Sequence, residues 1–178
     1  MDETLIGRGV AGLARLTAIA GGLVLTALVV LIVASVIGRA MIWAGLGPIL
    51  GDYELVEAGV GFAIFAFMPW AHLTRGHAVV AIFTDLAGPR FNAWLLVVCD
   101  ALMLVLAAFL AWRHALGTID KFNYGETTLL LRMPLWWSYA AGLFGACVLI
   151  VVAAYLLIRS LSDAATGRAP TASQGAAH

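Results

Sequence analysis

Four apolar runs, almost free of charge, divide the chain, and each ends in charged or turn-forming residues. The first extends from Leu16 to Gly38 between Arg15 and Arg39. At roughly 23 residues it is long enough to cross a hydrocarbon core of ~30 Å. Three more follow at about Leu55 to Leu73, Trp94 to Trp112 and Pro134 to Ile158. In lipid each must satisfy its own backbone hydrogen bonds, which runs of this length do as α-helices. The pattern therefore predicts an all-α integral membrane fold with four transmembrane helices.

Tryptophan placement is an independent test, because an indole favours the headgroup level, where its ring is half buried and its N–H stays wet. All six tryptophans lie at or near proposed span ends. Trp43 follows the first span, Trp70 closes the second, Trp94 and Trp112 bracket the third, and Trp136 with Trp137 open the fourth.

The stretch between spans 2 and 3 has a different period. Val79, Ile82, Phe83 and Leu86 fall at i, i+3, i+4 and i+7, opposite His77, Ala81, Thr84 and Asp85. This predicts a short amphipathic helix over about 77–87, ended by Gly88-Pro89 and too short to span, so it should lie flat at the interface. Arg75 beside it is placed to meet lipid phosphates.

Composition sharpens the class. The chain is 63% hydrophobic and 11% charged, against about 25% charged in soluble domains. Short loops leave no room for a second folded domain, so residues 1–160 are read as one bundle. Residues 161–178, with Gly167, Pro170, Ser173 and Gln174 among alanines, are read as a disordered cytoplasmic tail. Zero net charge and the lack of a basic block argue against nucleic acid. Cys99 and Cys147 fall inside spans and read as small core residues rather than a disulfide. The first span exceeds the ~7–15 residue apolar core of a signal peptide and reads as a retained anchor.

Arginine and lysine counts orient the bundle. With the N-terminus inside, the cytoplasmic segments hold Arg8, Arg15, Arg75, Arg90, Arg159 and Arg168, against Arg39, Arg113, Lys121 and Arg132 outside. The bias predicts N-terminus and C-terminus both cytoplasmic.

Few residues carry candidate chemistry. Asp52 and Glu54 suit the first turn of span 2, where the helix dipole favours acids and Asp52 can cap. Glu57 lies one turn deeper among Leu55, Val56, Ala58 and Val60, and a carboxylate at that depth needs a partner or a proton. Arg39 is the nearest candidate, and the readings are a structural ion pair or subunit contact, an interfacial acid, or ion transport. Asp100 lies about seven residues into span 3, ~10 Å into the hydrocarbon. It reads as a proton or cation site, or as a hydrogen-bonded acid at a helix–helix or subunit contact. In span 4, Ala141, Gly142, Gly145 and Ala146 form a small-residue face that admits another helix.

Enzyme and cofactor chemistry fit poorly. His72 and His114 fall at opposite ends of their spans, so no pair clamps a haem at mid-depth. No nucleophile, base and orienting group converge within the spans. A stand-alone proton-coupled exporter and a cytochrome-like anchor of a redox complex are the alternatives to a bundle that binds other helices and soluble protein.

Tyr53-Glu54-Leu55-Val56-Glu57 leads into span 2, Arg75-Gly76-His77-Ala78-Val79-Val80 precedes the interfacial helix, and Thr128-Leu129 with Met133-Pro134-Leu135-Trp136-Trp137-Ser138-Tyr139 opens span 4. In this order and spacing the chain, from about Arg15 to Arg159, resembles the small, Q-type membrane subunit of tripartite ATP-independent periplasmic (TRAP) transporters. The apolar Val79-Val80-Ala81-Ile82 departs from the family, which often places an acid soon after the Gly-His pair.

The resemblance implies a non-catalytic scaffold in a bacterial inner membrane, paired with a large multispan subunit that holds substrate and sodium. A periplasmic binding protein would deliver a small organic acid, and membrane lipids would fill the remaining contacts. It further implies structural or subunit-contact roles for Glu54, Glu57, Arg75 and His77, with no cofactor, metal or substrate on this chain.

Overall fold

In the computed structural model, residues 5–74 and 89–166 are described. They form four long helices: α1 Leu5–Ala40, α2 Asp52–Leu73, α3 Pro89–Tyr124 and α4 Leu135–Thr166. A 3-10 turn, Ile42–Ala44, follows α1. All four are long and apolar enough to cross a membrane. The expected interfacial helix at 77–87, with Arg75 and His77, lies outside the described residues, as does the tail from residue 167.

The helices outrun the predicted spans. α1 and α3 have 36 residues each, about 54 Å of helix, so each extends past a ~30 Å core. α1 begins eleven residues before the predicted span, and α4 continues to Thr166, into the segment read as tail. α3 continues past Trp112 to Tyr124, where Gly125 at φ 61° turns the chain.

Because its small face meets two neighbours, α4 forms the centre. In its most apolar window 44% of residues are buried, against 17% for α1. α4 packs against α1, α2 and α3, and α1 also packs along α2, while α3 packs mainly on α4. Ala14 of α1 meets Val148, Val152 and Leu156 in the buried cluster, with Trp70 and Tyr155 against it.

Small residues set the spacing. α1 buries Gly7, Ala14, Gly21, Leu28 and Ser35, a seven-residue repeat that keeps one seam on its partner. A Cβ at Gly21 would lie 3.0 Å from Ala66 Cβ, and one at Gly59 would lie 2.7 Å from Leu28 Cδ1. α1 and α2 therefore run antiparallel at close approach, as small residues permit without a hydrophobic driving force between helices.

The α2–α4 contact has a backbone cause. Pro69 lies inside α2 and lacks the N–H that would bond the carbonyl of Phe65. At that carbonyl α4 presents Gly145, whose Cβ, were there one, would lie 2.8 Å from the Phe65 oxygen. With no side chain there, the α4 backbone comes close against the freed carbonyl, as small residues allow at helix crossings.

Outward faces are apolar. Leu23, Val30, Val98, Leu102, Phe109 and Phe144 are all exposed, the reverse of a soluble surface. Trp94 and Trp112 are exposed on α3, eighteen residues and so about 27 Å apart, which matches an indole at each interface. Cys99 and Cys147 are also free and exposed; the expectation that they are core residues does not hold, because each lies on the outward side of its helix.

Candidate functional site

The end of the bundle that carries both loops, 41–51 and 125–134, holds most of the predicted polar residues. Ser35, 1% exposed, donates to Asp52 Oδ2 at 2.5 Å and accepts the Ile49 N–H at 3.2 Å. Asp52 Oδ1 accepts the Tyr53 N–H at 2.7 Å. The helix N-cap itself is Gly51, at φ 77°, so Asp52 opens α2 as its first residue rather than capping it. Beside this lock, a Cβ at Gly38 would lie 2.2 Å from the Gly47 carbonyl, which fixes glycine where the loop crosses α1.

Arg39 reaches Asp52 Oδ2 at 4.0 Å and is largely exposed. The expected Arg39–Glu57 pair is therefore not formed: Asp52, at the mouth of the loop, takes the guanidinium before it can reach the second turn of α2. An exposed pair at this distance adds little stability, and the Ser35 hydrogen bonds hold the junction. Ser35→Ala should cost about 1–2 kcal/mol, since it removes both bonds and strands a loop N–H. A lowered unfolding midpoint of the detergent-solubilised protein, with Thr26→Ala unchanged, would confirm this; equal midpoints would refute it.

Glu54 joins the two loops. Its Oε1 accepts the Leu130 N–H at 2.7 Å and its Oε2 the Leu131 N–H at 2.9 Å. The carboxylate thus grips two successive amides, aided by Leu131 packing on Gly51, where a Cβ would lie 2.4 Å from Leu131 Cγ. The loop is closed by Thr128 N–H on the Met133 carbonyl at 2.9 Å and Met133 N–H on Thr128 Oγ1 at 3.1 Å. Lys121 and Glu126 pair at 2.6 Å across its base. The price of this grip is an outward-facing Leu129, 93% exposed.

Below this loop, between α2, α3 and α4, lies a cavity of about 140 Å³. Glu54 and Glu57 edge it, Phe65, His114 and Tyr139 wall it, and Gly142 lies at its back. His114 stacks on Tyr139 with centroids 5.2 Å apart and rings 17° from parallel, and meets Phe65 at 4.8 Å. A Cβ at Gly142 would lie 2.7 Å from His114 Nε2, so only glycine leaves room for the imidazole. That Nε2 is buried without a hydrogen-bond partner among the described residues. Glu57 is exposed, and no hydrogen bond or ion pair holds it among the described residues.

Asp100 lies apart from this group, toward the opposite end. It is 2% exposed, as is Ser160 of α4, and the Ser160 hydroxyl donates to Asp100 Oδ2. Of the two readings open for Asp100, this geometry is the hydrogen-bonded acid at a helix–helix contact. Arg75 and His77 fall outside the described residues. Among the described residues no three His, Cys, Asp or Glu side chains are grouped so as to hold a metal ion.

The structure thus gathers Glu54 and Glu57, joins Arg39 to Asp52, and places Asp100 with Ser160 at the α3–α4 contact. Ser35 and Ser160 carry no signal in the sequence, His114 enters it only as a haem-ligand candidate, and Thr128 and Tyr139 only as part of the motif that opens span 4. His114 and Glu57 do share a predicted depth, at the same ends of spans 3 and 2, and that was the available signal. Ser35 and Ser160 had none, since a lone serine in an apolar helix ordinarily bonds its own backbone.

Comparison with protein families gives a match over residues 28–163 to the family described as tripartite ATP-independent periplasmic transporters, DctQ component. The match runs from the last third of α1 to near the end of α4 and includes every described residue of the cavity. Comparison with curated proteins and with solved structures gave no match.

Proposed function

The chain belongs to the DctQ family of TRAP transporter components, and from that premise we propose that it is a non-catalytic scaffold subunit of a sodium-coupled importer of small organic acids. It would pair with a large membrane subunit that carries substrate and sodium, in a bacterial inner membrane, with both its termini cytoplasmic. A periplasmic binding protein would dock on the outer loops. The observation that carries the reading is the family match, which spans α2 and α3 completely, nearly all of α4 and the last third of α1.

Physical features support it. Every helix presents an exposed apolar face, which suits lipid or another set of helices. The polar groups at the two-loop end are spent on tying backbone together: Ser35 and Asp52 hold one loop and Glu54 holds the other. Loops fixed in this way suit a docking platform, because little ordering entropy remains to be lost on binding. Trp43, Tyr53 and Leu129 are exposed there as contacts.

The test is reconstitution. In liposomes with an imposed sodium gradient, this chain alone should take up no organic acid, whereas chain, large subunit and binding protein together should accumulate it. Uptake by the chain alone would overturn the proposal and favour a stand-alone exporter-like carrier.

A further inference from the structure

We infer that the cavity between α2, α3 and α4 is the socket for an arginine side chain of the large membrane subunit, with Glu57 as its counter-charge. The inference rests on the scaffold reading above and specifies where and by what chemistry the partner is held.

Glu57 is the third residue of the predicted span, one turn deeper than Glu54, where a bare carboxylate is costly and calls for a cation or a proton. Among the described residues no arginine or lysine pairs with it. Arg39 is engaged by Asp52 and Lys121 by Glu126, and among the described residues no arginine or lysine lines the cavity. Glu54 has both its oxygens committed to the Leu130 and Leu131 amides, which leaves Glu57 as the acid with free acceptor capacity.

The walls fit the same ligand. His114 and Tyr139 form a flat stacked pair, and an aromatic face attracts a cation through its quadrupole. His114 Nε2 is buried and unsatisfied among the described residues, and with the ring proton on Nδ1 it accepts an N–H. A guanidinium is planar, is weakly hydrated, carries five N–H donors and stacks on rings while pairing with a carboxylate. A volume of about 140 Å³ accommodates one such group and no folded segment. Because Glu57 falls within the predicted span, its cation has to come from within or beside the membrane, which favours the large subunit over a soluble protein.

The experiment uses the co-expressed transporter. The large subunit should copurify with the wild-type chain in mild detergent, and with Glu57→Gln about tenfold less, at unchanged abundance of the variant in the membrane. His114→Phe, which keeps the ring and loses the acceptor, should give a smaller loss. A photoreactive phenylalanine analogue at Tyr139 should capture an arginine-containing segment of the large subunit. Equal copurification with Glu57→Gln overturns the inference and leaves the scaffold reading intact, as does photocapture of phospholipid or of the binding protein. Failure of the wild-type chain to associate overturns both.

Discussion

Gly145→Val is expected to be the most damaging single substitution in the helices. A Cβ there would lie 2.8 Å from both the carbonyl carbon and oxygen of Phe65, and backbone of a helix cannot rotate aside as a side chain can. α4 would have to withdraw from α2, and with it the cavity would lose its shared wall. Overpacking costs about 1–3 kcal/mol, and backbone against backbone places this case near ~3 kcal/mol. The unfolding midpoint in detergent should fall by roughly 10 °C. Gly22→Ala, at an α1 position with nothing within 4 Å, supplies the control and should be neutral. A Gly145→Val protein that melts with wild type would show that α2 and α4 do not touch at this crossing.

Asp100→Ala should rank second. Asp100 and Ser160 are each 2% exposed and joined by a hydrogen bond, and α3 has α4 as its main neighbour. Truncation removes a buried acceptor and leaves a void, at a cost of about 2–3 kcal/mol. Ser160→Ala should cost less, and the double variant should fall short of the sum, as expected for residues in contact. Asp100→Asn separates two states of the acid. A near-neutral result means that a neutral oxygen facing Ser160 suffices, whereas a loss equal to that of alanine means that the charge is required. An undisturbed Asp100→Ala protein would remove Asp100 from the α3–α4 contact.

The two-loop end shows how far residue spacing carries an argument about charge. Reading depth along each span gives the right neighbourhood, since Arg39, Asp52, Glu54 and Glu57 all come to one end of the bundle. It gives the wrong pairing, since depth alone does not distinguish Asp52 from Glu57 as the partner of Arg39. The choice is made by Ser35 and by the crossing of Gly47 over Gly38, which bring the start of α2 against the end of α1.

Glu54 makes the same point. As an acid in the first turn of α2 it is explained by the helix dipole, yet in the fold it binds amides of a loop some 76 residues away. His114 likewise reads as a solitary residue past a span end, and becomes a wall of the cavity only because Gly142 of α4 leaves space for its ring.

By itself the sequence determined the four helices, their rough ends, the small-residue face of α4 and the family resemblance. These follow from local properties: the length of an apolar run against the bilayer thickness, the position of indoles, and backbone hydrogen bonding that each helix must complete alone. The tertiary structure decided which face of each helix is buried, which acid meets Arg39, what Glu54 holds, and that Glu57, His114 and Tyr139 share a cavity. In a soluble helix polar residues would have marked the outward side, but in lipid both sides are apolar. The buried seams are then distinguished by close approach at Gly21, Gly59, Gly142 and Gly145, a matter of shape between segments far apart in the chain.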